Sequence, residues 1–502
     1  MKQNLLRTAA FLLAALMTVP VMNSCGGSAD TPSTDTTGIA ETAADTVDPN
    51  DRSQIKDNLP DNLDFTGRTF TTLVASPGDQ GAFIAGVEES TGDIVEDAIL
   101  ARNRAVEERL GLELVYDVRT DIDGSKIDAE VSKFLLAGDS THDLYTGHQW
   151  GLTKLLANGG IVPAEDLDHI ELSQPWWWKD YMDELSLGGD THYYFVGDFF
   201  LHALRSARVV IFNKELYANY YDDANKLYEV VLDGKWTIDH FIELAKSVYI
   251  DINNDGKTDG GDQLGFCSWA TMASTDPFVY GTDVEFVKRT ENGGIEFTMI
   301  SDDAVTLCDK LVDFFWQDGT FTGNTSDEEQ YAMFESGRVL FMGNASLVSV
   351  EKIRDMECDF GILPCPKFDE AQENYRTLVH DGGYLGAVNG NSANLDLVGA
   401  TLEALNAETY RSVTPVYYET ALKVKYSRDD QSSQMLDIVR AGLGKAFPLA
   451  YNNYCNNFPM SETFASPLGS NKKDFVSYYD KGLKAAQAKL DSLWDAFSSI
   501  EQ

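Results

Sequence analysis

The chain has 502 residues, 39 basic against 80 acidic side chains, and a formal net charge of −41. That balance excludes a nucleic-acid binder, because phosphates call for Lys and Arg, and it excludes a polybasic membrane patch; the surplus carboxylates serve solubility. Six cysteines without a CxxC pair indicate neither a redox couple nor a zinc knuckle, and after Cys25 the five others are expected to be mostly buried, reduced thiols.

In chain order, Lys2 and Arg7 precede an apolar run from Ala9 to Met22. It falls short of the roughly 20 residues that span a bilayer and reads as a secretory signal over residues 1–24. Residues 25–61 are dominated by Ser, Thr, Asp, Ala and Pro, which cannot bury enough apolar surface to offset ordering entropy, and predict a disordered tether. The body then alternates. TFTTLVA (69–75) reads as a strand, and Val95, Ala98, Ile99, Arg102, Val106 and Leu110 recur at helical spacing. LELVYDV (112–118) is a second strand, Ile127, Val131, Phe134 and Leu135 mark a helix ended by Gly138, and HDLYTG (142–147) is a third strand. This order predicts parallel strands with helical crossovers, with ligand outside the strand carboxyl ends, where His148, Gln149 and Trp150 follow.

A second α/β region opens at RVVIFNKELY (208–217), and KWTIDHFIELAKSVYI (235–250) predicts a helix with Thr237 as N-cap. Directly after it, DINNDGKTDGGD (251–262) has the spacing of a calcium loop. Asp251, Asn253 and Asp255 stand at positions 1, 3 and 5, and Gly256 allows the sharp turn. Lys257 offers its carbonyl, Asp259 stands at position 9, and Asp262 closes the loop where an EF-hand carries Glu. The expectation is a structural Ca2+; the alternative is a solvated Asx-turn loop without metal. Leu483, Ala486, Leu490, Leu493 and Phe497 form the stripe of a last helix.

Two resemblances add to this reading. MNSCGG, at the end of the apolar run, resembles the lipobox of bacterial lipoproteins, which implies a lipidated Cys25 and an anchor on the outer face of the cell membrane. QPWWWKDYMDELSLGG, VVIFNKELY, KWTIDHF, DINNDGKTDGGDQLGF, FESGRVLF, FGILPCPKFDEAQENY and LKVKYSRDDQSSQMLDIV, taken in order, resemble the family 1 extracellular solute-binding proteins of ABC importers. That likeness implies a two-lobed, type II periplasmic-binding-protein-like clamshell of α/β lobes. Lobe one would hold 62–210 plus 361–386, and lobe two 211–360 plus 387–502. Hinge crossings would lie near Arg208–Asn213, Phe360–Pro364 and Tyr384–Asn389. It further implies a binder, not an enzyme, that closes on a carbohydrate and hands it to ABC permease subunits.

A sugar offers hydroxyls and an apolar ring face, so its site needs aromatic planes with polar groups around them. Trp150, Trp176, Trp178, Trp269 and Tyr384 sit beside loops and glycines, Asp198 follows Gly197, and Asn344 ends a strand; these are the candidate ligand contacts. Core packing is the alternative for the Trp176–Trp178 run, whereas Trp236, Trp316 and Trp494 read as core. Two other functions stay open: an exported carbohydrate-active hydrolase using paired carboxylates, and a receptor for a non-sugar solute or peptide.

Overall fold

The computed structural model describes residues 52–500, apart from 77–79, 190, 270, 292–293, 299, 381, 421–429, 445, 453, 456–457 and 459. The signal sequence, Cys25, most of the expected tether and the start of LKVKYSRDDQSSQMLDIV lie outside the described residues. Among the described residues no helix is long and apolar enough to cross a membrane.

Two mixed five-stranded sheets organise the α/β fold. The first contains β1 (Thr69–Ala75), β2 (Glu113–Arg119), β3 (Leu144–His148), β4 (Ile161–Val162) and β12 (Tyr384–Asn389), in the order β2-β1-β3-β12-β4. The second contains β5 (Arg208–Asn213), β6 (Leu264–Trp269), β9 (Thr320–Asn324), β10 (Val339–Ser346) and β11 (Phe360–Leu363), in the order β11-β5-β10-β6-β9. A hairpin of β7 (Val287–Arg289) and β8 (Ile295–Phe297) stands apart. Each large sheet is parallel except around one inserted strand: β12 runs antiparallel to β3 and β4, and β5 runs antiparallel to β10 and β11.

Local chemistry explains the elements that flank the strand ends. Asp93 accepts from the amides of Val95 and Glu96 to start the helix Ile94–Leu110, and Gly111, at φ +70°, ends it in the left-handed region that glycine adopts without strain. Thr237 caps the helix Ile238–Ser247 through the His240 amide, as its sequence predicts. That helix lies so close to β6 that a Cβ on Gly265 would stand 1.7 Å from the Ala245 carbonyl oxygen, so the position admits only glycine.

The lobe boundaries differ from expectation at both returns of the chain. Phe360–Leu363 pairs with Asn213–Val210 in the second sheet, and the following segment stays there, with Lys367 N donating to the Trp236 carbonyl and Tyr375 to that of Val231. Conversely, β12 and the helix Leu395–Glu408 belong with the first sheet, the helix packing on Ile94–Leu110. Strand pairing over long sequence separation decides both, and no local pattern encodes it. The tether also ends earlier than residue 61. The Asp57 side chain, 3% exposed, lies between Arg109 (2.7 Å) and Arg411 (3.1 Å), and Leu59 is buried in the core. Ion pairing docks this segment where aromatic side chains are lacking. The buried Cys267, Cys308, Cys365 and Cys455 and the half-buried Cys358 are all free thiols.

Between the sheets the chain crosses as a ribbon. Arg208 N donates to the Leu378 carbonyl (2.8 Å) and His380 N to that of Ser206 (3.0 Å), so segments 206–208 and 377–380 run antiparallel as partners. Leu347 N on the Ala207 carbonyl and Thr377 N on the Gly442 carbonyl extend the ribbon on either side.

Candidate functional site

The register places two side-chain sets at the carboxyl ends of the parallel strands. In the first sheet Tyr384, the first residue of β12, lies opposite His148, the last of β3. The Tyr384 ring packs against His148 (5.5 Å) and edge-on to His202 (4.6 Å), and its hydroxyl donates to the Ala75 carbonyl at the end of β1 and to Gln80. Gln80 also meets His148 Nε2 at 3.3 Å, and Trp150 Nε1 donates to His148 Nδ1 at 3.4 Å. Burial, with the positive Arg205 and the neighbouring His148 and His380, holds the His202 imidazole well below its ordinary value, so it is neutral. The result is a rim of imidazoles, an amide and a half-buried indole above a fully buried tyrosine.

In the second sheet the set is Trp269 at the end of β6, Asn344 near the end of β10, Arg208 at the start of β5, and Asp327. Trp269 Nε1 and Asn344 Nδ2 both donate to Asp327 Oδ1. Asn344 has φ +47°, beside a bulge between Met342 and Ala345, a left-handed conformation that Asn tolerates better than most residues. Its carbonyl oxygen accepts from Arg208 Nη1 at 3.0 Å. Asn344 Oδ1 and Arg208 Nε are buried without hydrogen-bond partners, a cost of about 1–3 kcal/mol each that a hydroxylic ligand or water offsets. His202 and Arg208, one from each set, are six residues apart on either side of the crossing, so these two lie within about 20 Å of each other along the chain.

The other sequence candidates lie elsewhere. Trp176 and Asp198 have no exposed surface, while Trp178, 6% exposed, lines a groove with Arg440 and Leu443. Trp176 and Trp177 donate to Glu403 at 3.0 and 2.7 Å. Asp198 accepts from Trp178 (2.9 Å), Thr414 (2.9 Å) and Arg440 (2.7 Å). Trp178 keeps an edge on the groove, whereas the polar atoms of Trp176 and Asp198 are engaged inside the fold, so these two pack where ligand contact was expected. Tyr384 is likewise fully buried and positions His148 and Gln80 from below. Sequence reasoning missed Gln80, His202, Arg208 and Asp327. Only Asp327 carried a signal, since SDEE (326–329) marks a capped helix start. A cavity of about 700 Å³ lies away from the strand ends. It lies between the helix Lys179–Leu185 and the β7–β8 hairpin, where Arg289 donates to the carbonyls of Asp183 and Ser186, and its lining is rich in carboxylates.

In the loop 251–262, Gly256 takes φ +76° and its amide donates to Asp251 Oδ2 at 2.9 Å, the turn a calcium loop needs. Asn253, Asp255 and Asp259 each accept a backbone amide two residues on, and the buried Asp262 accepts from Ile252 and Asp259. The Lys257 carbonyl accepts from the Tyr249 hydroxyl. The turn therefore fits the ion, while the donors are engaged by backbone amides; among the described residues no three His, Cys, Asp or Glu side chains are gathered as a metal site.

No protein-family profile and no curated protein sequence matches the chain. Solved structures do match its fold. A cyclo/maltodextrin-binding protein complexed with maltotetraose is 11% identical with a TM-score of 0.53, covering 86% of this chain and 98% of its own. An ABC transporter solute-binding protein from Thermotoga lettingae, bound with alpha-D-tagatose, is 12% identical with a TM-score of 0.52, covering 84% and 100%. The chain has the solute-binding-protein fold. The carboxyl-end sets described above lie where ligands of open α/β sheets bind.

Proposed function

We propose that the protein is an extracytoplasmic binding protein that captures a carbohydrate between its lobes and delivers it to an ABC importer, anchored through an acylated Cys25. The observation that carries this reading is the chemistry of the strand ends: half-buried Trp150 and Trp269 on different sheets, with Asn344 Oδ1 and Arg208 Nε buried and unpartnered nearby. Indoles take the apolar face of a sugar ring and orphan polar atoms take its hydroxyls. Two proteins of the same fold described as bound to maltotetraose and to tagatose support the ligand class. Lobe closure about the ribbon would bury the ligand, and no catalytic group is required.

The test is calorimetric titration with neutral mono- and oligosaccharides, with product analysis alongside. Binding without cleavage is expected, and Trp269→Ala should weaken it about tenfold or more, in line with the loss of an aromatic platform. Accumulating reducing ends would establish a hydrolase instead, and unchanged affinity in both Trp150→Ala and Trp269→Ala would remove the site.

The calcium loop belongs to the same proposal. Asp251, Asn253, Asp255, Asp259, Asp262 and the Lys257 carbonyl would hold a structural Ca2+ that fixes the turn before β6 and Trp269. Ca2+ at a hundredfold excess over its dissociation constant should stabilise the fold by about 2.7 kcal/mol, read as a rise in Tm that EGTA reverses and Asp251→Ala abolishes. No change in Tm with millimolar Ca2+ contradicts it.

A further inference from the structure

A groove on the outer edge of the second lobe holds an aromatic and polar arrangement that the strand-end site does not use. Trp316, which ends the helix Asp302–Phe315, is 56% exposed, although its helical context predicts a core residue. Its ring is not loose: Nε1 donates to the Leu468 carbonyl at 2.7 Å, which fixes the plane of the indole. Beside it lies a cavity of about 360 Å³ walled by Trp316, Gln317, Asp318, Thr320, Phe321 and Thr258, within the range of small-molecule sites. Thr320 is only 8% exposed, and its hydroxyl has no partner; the Gln317 side-chain nitrogen is also buried and unpartnered. Thr320 opens β9, the edge strand of the sheet, and the groove follows that strand from Thr320 to Gly323, along the edge that no other strand pairs among the described residues.

We propose that this groove is a second, separate binding site for a neutral saccharide ring. An indole held flat and open to solvent offers a stacking face. The orphan hydroxyl and amide in the wall require a ligand that both accepts and donates hydrogen bonds, which hydroxyls do and hydrocarbon does not. Asp318 and the net charge of −41 disfavour anionic ligands. Its walls come from β9, at the edge of the second sheet, and the helices that pack beside it, so it holds sugar without lobe closure and serves to keep an oligosaccharide near the protein.

The test labels the whole protein with 5-fluorotryptophan and follows 19F NMR, which separates the Trp316 resonance, assigned by Trp316→Phe, from those of Trp150 and Trp269. Glucose, galactose, mannose, xylose, N-acetylglucosamine and maltose are titrated in turn. The expected result is a saturable shift of the Trp316 signal with at least one of them. The Thr320→Val protein, its fold verified by near-UV circular dichroism, should bind that sugar about tenfold more weakly, with the Trp150 and Trp269 responses unchanged. A Trp316 signal unmoved by the whole panel overturns the proposal, as does a shift indifferent to Thr320→Val. Movement with an extended peptide but with none of the sugars assigns the groove to strand addition along β9 and overturns it as well.

Discussion

Glu403 has no exposed surface and accepts from the Trp176 and Trp177 indoles and from the Glu171 amide. Burial pushes its carboxyl up to about 7, against the opposing pull of these donors. Its folded value lies above the unfolded value, so between about pH 4.5 and 7 the native state binds more protons than the unfolded chain, and stability falls as pH rises through that window. The full shift corresponds to about 3 kcal/mol at most. His202 acts in the opposite sense and lower down: its value is depressed, so its contribution is present above about pH 6.5 and is lost as pH falls below it. The Glu403 effect is therefore read as a difference between proteins. Denaturant midpoints measured from pH 4.5 to 8 should fall less steeply in Glu403→Gln than in the parent, and parallel curves would contradict the assignment.

At the scale of elements, the helix Asp327–Glu335 positions the second-sheet site. Ser326 Oγ accepts from the Glu329 amide at 3.3 Å and starts the helix, whose first residue is the Asp327 that receives Trp269 and Asn344. Ser326→Ala should cost about 1 kcal/mol of stability, measured by urea unfolding, and should also weaken saccharide binding; a stability loss with unaltered affinity would show that the cap does not orient Asp327. Elements of this kind were legible beforehand. TFTTLVA is β1 over the predicted residues, Gly138 ends its helix, and Thr237 is the N-cap, because period, caps and turn residues are local properties. Lobe membership and the fate of single tryptophans were not. Trp176 packs because Glu403 arrives from far downstream, Trp269 stays half-buried because Asp327 holds its ring at a strand end, and Trp316 is open although it follows a helix. In all three cases tertiary partners decide.

Across the molecule, Arg205 and Glu351 form an ion pair between the lobes beside the ribbon. Arg205, 4% exposed and just before the crossing, donates to both oxygens of Glu351 at 2.9 and 2.6 Å, on the helix that follows β10. The guanidinium lies over the Phe83 ring, and the Tyr417 hydroxyl also donates to Glu351. Glu351→Ala strands a buried cation, so a loss of about 3–5 kcal/mol is expected in urea unfolding; a change within that of a surface substitution would mean the pair is solvated. The crossing itself has a mechanical consequence. Segments 206–208 and 377–380 are bonded edge to edge, with neighbours on both sides, and such a strip behaves as a leaf spring, compliant across its flat face and stiff along its width. A hinge on such a strip would turn about a single axis, like a book on its spine, and would resist sliding of one lobe past the other.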